Sequence, residues 1–218
     1  LSNRETPTLS AMIGEDKARD LDVRFGSLQP VREKRVGAGI HSWERDAQGI
    51  PLTHDNRAFI DHAHAAFPKS NDTDANRAAL RSAVDLAALK NGSKRYIWTV
   101  GKLGRVIVAE ERAISPDDPR TKAGKAKTHA EPKYAGHPML VGGGSARVSG
   151  ELHYDATQDR LVVLDKSGRY SRYADRQNAQ VENVAAALRD AFAADGLAVV
   201  AQKVVGKDPE PLKYSTLA

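Results

Sequence analysis

The chain contains no cysteine in its 218 residues. That absence removes disulfide frameworks, thiolate zinc sites and cysteine nucleophiles at once, and it suits a protein that crosses compartments or unfolds during export. Aromatic residues are scarce at 6%, so the core has to be built mostly from Ala, Val, Leu and Ile. No run approaches the roughly 18 apolar residues needed to span a bilayer, so a soluble chain without membrane insertion is expected. Leu1 to Asp20 lacks the apolar centre of a signal peptide, and the leading Leu suggests a piece cut from a longer chain. Phosphate-loop and dinucleotide fingerprints are missing too, since neither GxxxxGK[ST] nor GxGxxG occurs.

What is present is ordinary in bulk and uneven in placement. Hydrophobic residues make up 40% and charged residues 28%, enough for one domain with a real core or for a domain of about 150 residues plus an extended segment. The net charge of +5 favours an anionic partner such as nucleic acid, a phosphorylated cofactor or an acidic protein.

Residues 1–55 are polar and weakly periodic, broken by Pro7, Pro30, Pro51, Gly37 and Gly39, which predicts an extended arm or a loosely packed subdomain ahead of a domain at 56–218. Phe59, Ile60, Ala63 and Phe67 predict a helix over Asp55–Phe67, stopped by Pro68. Asp72 or Thr73 caps a second helix, with Leu80, Val84, Leu86 and Leu89 turned to a core until Asn91-Gly92. The period then changes to two, and Arg95–Val100 and Arg105–Glu110 read as a hairpin through Gly101–Gly104. A long Pro/Lys-rich loop over Ser115–Tyr134 follows, either surface chain or a segment that closes on a ligand. Strands are expected at Pro138–Val141, Ala146–Tyr154, Arg160–Leu164 and Leu197–Val205, with a helix at Glu182–Ala194 ending at Gly196. This order predicts an α+β fold, a mainly antiparallel meander sheet with flanking helices.

Most reactive groups fall between Gly136 and Tyr173. His137, between a Gly and a Pro, is held at a strand mouth, either as a group that can carry a proton near neutral pH or as a histidine packed at a strand end. Gly142-Gly143-Gly144 is either a flexible hairpin or an anion cradle centred on Gly143. By alternation Ser149, Glu151 and His153 share one strand face, making Glu151 and His153 an acid–base pair or simply an exposed polar face. Gly150 marks a place of close approach. Ser167, Arg169 and Tyr170 are expected to project from a turn that is either a phosphate-binding rim thickened by Arg172 and Arg176 or a plain turn followed by a cap, and Arg147 is expected to bind substrate. Asp61-His62-Ala63-His64 has spacing unsuited to a helical zinc site, so no metal is expected. Trp43 and Trp98 read as core.

The succession strand–strand–GHP–glycine hairpin–GEL–strand–SGRY–helix over about residues 96–196 resembles C-terminal toxin modules of bacterial secreted effectors and polymorphic toxins. Those modules carry similar Gly-His-Ser/Pro, Gly-Glu and Ser-Gly-His-Tyr blocks; Arg169 stands here where they often have His. The resemblance implies secretion or delivery into a target cell, action in its cytoplasm, and a cognate immunity protein. Three functions follow as expectations. A metal-independent ribonuclease acting on RNA would use Glu151, His137 or His153, and Arg169 with Arg147, and the basic charge fits RNA. An NAD-dependent ADP-ribosyltransferase would grip NAD with His137 and Tyr170. A non-enzymatic basic interaction domain would use the Arg-rich rim alone.

Overall fold

Tyr96–Val100 and Val106–Glu110, mostly apolar and buried almost throughout, build the middle of a single large sheet. The computed structural model describes residues 8–33, 39–60, 73–115, 117–122, 132–205 and 213–216. In chain order the helices are α1 (Leu9–Ile13), α2 (Glu15–Phe25), α3 (Thr73–Ala83), α4 (Leu86–Lys90) and α5 (Asn178–Phe192). The strands are β1 (Ala58–Ile60), β2 (Tyr96–Val100), β3 (Val106–Glu110), β4 (Ala113–Ile114), β5 (Lys133–Tyr134), β6 (Ser149–Asp155), β7 (Arg160–Leu164), β8 (Ala198–Val205) and β9 (Lys213–Thr216). Seven strands form one sheet in the order β1-β3-β2-β6-β7-β8-β9, while β4 and β5 pair separately. Every pairing is antiparallel except β7 with β8. The α+β class with a mainly antiparallel sheet is therefore observed, although the strand order is not a simple meander. The parallel pair needs a crossover, and α5 supplies it.

One face of the sheet is covered by helices. Trp98, Leu152, Leu161 and Val163 project there and meet Leu21 and Phe25 of α2, Leu80 and Val84, and Val184, Leu188 and Phe192 of α5 in one continuous core. Each such side chain contributes roughly 1.5–3 kcal/mol on full burial. Helix α5 begins four residues earlier than the sequence suggests, because Gln177 and Gln180 cap its first turn reciprocally. At Phe192 it gives way to a 3-10 turn, Ala193–Asp195, which stops at Gly196 in the left-handed conformation at φ 67°.

Several expectations are corrected. The polar stretch before residue 55 is not only an extended arm: α2 is helical, and its Leu21 and Phe25 are fully buried in the main core. Where a helix was expected, Ala58–Ile60 is an edge strand paired with Val106–Val108, because pairing and burial override local periodicity; positions 61–67, and with them His62 and His64, lie outside the described residues. Pro138–Val141 is no strand. His137–Leu140 forms a 3-10 turn, since Pro138 suits a first helical turn and has no N–H for a ladder. The glycines that follow join no hairpin: Gly142 and Gly143 turn the chain at φ 59° and 75°, and Gly143 donates its N–H to Pro138 O at 2.8 Å. Of the long loop, Asp117–Lys122 forms turns and the flanks pair as β4 and β5, while 116 and 123–131 lie outside the described residues. Among the described residues no helix is long and apolar enough to cross a membrane.

Candidate active site on the outer face of the sheet

The face turned away from the helices carries a small apolar cluster, Ile97, Ile107, Ala109 and Leu140, with Phe59 and Val141 against it. Beside it lies a polar network. In register, Glu151 sits between Ile97 of β2 and Leu164 of β7, so its carboxylate is flanked by hydrocarbon on both sides. His153 Nε2 lies 2.7 Å from Glu151 Oε2, and Lys166 Nζ lies 3.2 Å from Oε1. Burial alone would raise the Glu151 carboxyl. The His153 hydrogen bond and the Lys166 charge outweigh it and hold the group below the usual carboxylate range. Glu111, just past β3, behaves oppositely: burial pushes it up despite Arg95, whose Nη2 is 3.3 Å away. Glu151, Lys166 and Arg169 all act on Glu111 electrostatically, so these groups form one cluster with two carboxylates driven apart.

Beneath this cluster is a floor with little access to water. Glu44 is fully buried and accepts from Arg169 Nη1 at 2.6 Å, from Gly136 N at 3.0 Å and from His41 N at 2.9 Å. The absence of a side chain at Gly136 is required, because a methyl there would sit 2.6 Å from Glu44 Oε1. His137 is buried, with Nε2 donating to Gly150 O at 2.9 Å. Desolvation depresses its pKa to about 4, so the ring stays neutral at physiological pH. Gly150 is a place of close approach, as the sequence suggested, but the approaching group is the protein itself: a methyl would fall 1.6 Å from Leu164 O and 2.7 Å from the Trp98 ring.

The predicted residues thus divide into two groups. Glu151, His153, His137 and Arg169 come together; the first two reach solvent in part, and the last two form the floor. The others do not join them. Arg147, expected to bind substrate, is fully buried and donates to Asp22 Oδ1 and Gly26 O, both at 2.6 Å. Tyr170 does not project from a rim. Its ring packs with Val31 and Ala146, its hydroxyl donates to Gly144 O at 2.8 Å, and burial raises its pKa. Ser167 is buried and accepts from Arg169 N at 3.3 Å. Gly143 has its N–H satisfied and Pro51 against its α-carbon, so it cradles no anion. Arg172 is exposed and makes no ion pair among the described residues.

Sequence reading missed Glu44, Arg95, Glu111 and Lys166, which lie on four separate connections and follow no shared period. It also missed a partly exposed aromatic strip beside them. Trp43 stacks on His41 with centroids 4.2 Å apart, donates from Nε1 to Tyr134 O at 3.3 Å and lies under Lys133 at 5.2 Å. Tyr134 lies under Arg95 at 4.6 Å. Arg95, Glu111 and Tyr134, with Ser93 and Lys94, line an open groove of about 530 Å³.

No family model, curated protein or solved structure matches the chain. What the site can do therefore rests on its geometry. A depressed carboxylate, an imidazole, a raised carboxyl and two cations on one face can move a proton in each direction beside an anion. Among the described residues no group of His, Asp and Glu is arranged to hold a metal ion.

Proposed function

We propose that the domain cleaves RNA by general acid–base chemistry of its own side chains. One observation carries this reading: the depressed Glu151 carboxylate held between His153 and Lys166. Glu151 takes the proton of the ribose 2′-OH, whose oxygen then bonds to phosphorus. The 5′-oxygen leaves with a proton supplied by His153, beside Glu111, whose carboxyl is held above the usual range by burial. Lys166 and Arg95 offset the charge that develops on the phosphorane. Arg169, committed to Glu44, positions the floor rather than touching substrate. The aromatic strip and its cations suit the bases and phosphates of a single strand.

Together with the resemblance to secreted toxin modules, this reading describes an effector domain delivered into a target cell, acting in its cytoplasm and neutralised by an immunity protein. The ADP-ribosyltransferase reading draws no support from the geometry, since His137 and Tyr170 spend their polar atoms on backbone carbonyls. The test is expression of wild type and Glu151→Gln in bacteria, with total RNA run on a gel and purified protein assayed on single-stranded RNA. Cleavage by wild type and a loss of about 10²-fold or more in the variant is expected. Toxicity with intact RNA, or equal cleavage by both proteins, would sink the proposal; protection of the protein against heat by NAD would direct attention to ADP-ribosylation. Binding without any catalytic effect would favour the basic interaction domain.

A further inference from the structure

A second cavity, of about 240 Å³, contains neither Glu151 nor His153 and shares Arg112 and Ala113 with the groove. Its walls combine Leu52, Ile114 and Met139 with His54, Arg112 and Arg120. His54 is nine-tenths buried, at 6% exposure, and its Nε2 has no hydrogen-bond partner. A buried polar atom left unpaired is costly, and its place on a cavity wall points to a partner that arrives from outside. Burial first, and then the charge of Arg112, shift the His54 imidazole toward its neutral form. With its proton on Nε2 it is a hydrogen-bond donor beside a cation.

The charges around the cavity decide what fits. Arg120 is spent on the wall's two carboxylates, Asp55 at 2.8 Å and Asp118 at 3.0 Å. Arg112 is held more loosely. Its Nε lies 3.9 Å from Glu110, which also pairs with Lys94 at 3.4 Å. With its amide oxygen turned toward the guanidinium, Asn56 accepts from Arg112 Nη1 at 3.2 Å and from Nη2, leaving the outer N–H groups of the fork for a ligand. Beside the Arg120 ion pairs and the hydroxyls of Thr53, Ser115 and Thr121, the cavity therefore offers a donor and a positive charge facing an apolar wall of Leu52, Ala113, Ile114, Ala135 and Met139. A metal ion would meet a guanidinium and carboxylates already neutralised by Arg120. A phosphate would leave the apolar walls unused.

We infer that this cavity is a binding site for a small monocarboxylate with an apolar body, its carboxylate held by His54 Nε2 and the Arg112 fork. The site does not depend on RNA cleavage. Calorimetry with benzoate and hexanoate as probes tests it, with benzamide and inorganic phosphate as controls. At least one carboxylate is expected to saturate a single site, with benzamide and phosphate at least about tenfold weaker. His54→Phe and Arg112→Gln are each expected to weaken the carboxylate by about tenfold or more. Should either variant misfold, wild-type protein labelled with ¹⁵N-histidine gives the same answer: one buried ring signal shifts in step with benzoate occupancy. No saturation by about 20 mM probe, equal binding of benzamide or phosphate, or an unmoved imidazole would each overturn the assignment.

Discussion

The two faces of the sheet are built on opposite principles. The helix side is a continuous hydrocarbon core running from Leu21 to Ala201, in which each contact is replaceable at the cost of a cavity. The outer side has four buried apolar residues in its main cluster and a set of charges that satisfy one another: Glu44 with Arg169, Glu151 with His153 and Lys166, Glu111 with Arg95. A hydrocarbon core tolerates imperfect shape and loses stability gradually. A buried polar network fails when one member is removed, because its partner is left charged and dry. Stability is thus distributed on the first face and concentrated on the second, where the proposed chemistry also resides.

The sharpest way to break both faces together is Gly150→Ala. The added methyl would meet the Leu164 carbonyl and the Trp98 ring, parting β6 from β7, with an expected loss above about 4 kcal/mol. Circular dichroism should show no cooperative unfolding, and a native melt would refute the packing described. Next is Glu44→Ala, which strips partners from Arg169, Gly136 and His41 and is expected to cost about 3–5 kcal/mol in denaturant. Leu188→Ala on the helix side should fall in a similar range of about 2–5 kcal/mol. The two differ in rescue: an apolar pair, Glu44→Leu with Arg169→Met, should recover the part of the loss due to the stranded Arg169 charge, while Gly136 N and His41 N stay unpaired.

A third effect depends on pH. His137 has its folded pKa depressed from the ordinary 6.5 to about 4, so the unfolded chain binds its proton first as pH falls. The stabilisation is complete above about pH 6.5, declines through that range, and is lost by the time pH reaches about 4, amounting to roughly 3 kcal/mol. Urea titrations at about pH 7.5 and pH 4.5 should show the decline, and His137→Asn should flatten it. A wild-type stability indifferent to pH in that window would contradict a buried neutral imidazole. The smallest effect is at the exposed edge of the network. Lys166→Ala should change stability by under about 1 kcal/mol while raising the Glu151 pKa, read directly as a carboxyl chemical shift in NMR.

The same contrast explains what could be read from the residues alone. β2, β3, β7, β8 and the body of α5 were legible because the helix-side face demands periodic hydrocarbon, and periodicity is what a sequence displays. Helix α2 escaped notice because it buries only Ala18, Leu21 and Phe25 among eleven residues. The 3-10 turn at His137–Leu140 was mistaken for a strand because a short buried apolar run looks alike in either form. On the outer face Glu151 and His153 were legible through strand alternation. Glu44, Glu111 and Lys166 were not, since a charge on a connection carries no sign of which distant charge it will meet. Tyr170 and Arg147 were misjudged for the same reason: their burial depends on Val31 and Asp22, more than a hundred positions away.

The chain has two tryptophans, and the fold assigns one to each side. Trp98 is sealed in the helix-side core, with Nε1 donating to Glu151 O at 3.0 Å; Trp43 lies partly open in the aromatic strip, against His41. Intrinsic fluorescence is therefore a two-channel signal. Iodide in the solvent should silence the outer emitter and spare the inner one, so a single cuvette can follow ligand arrival on one surface and the integrity of the hydrocarbon on the other.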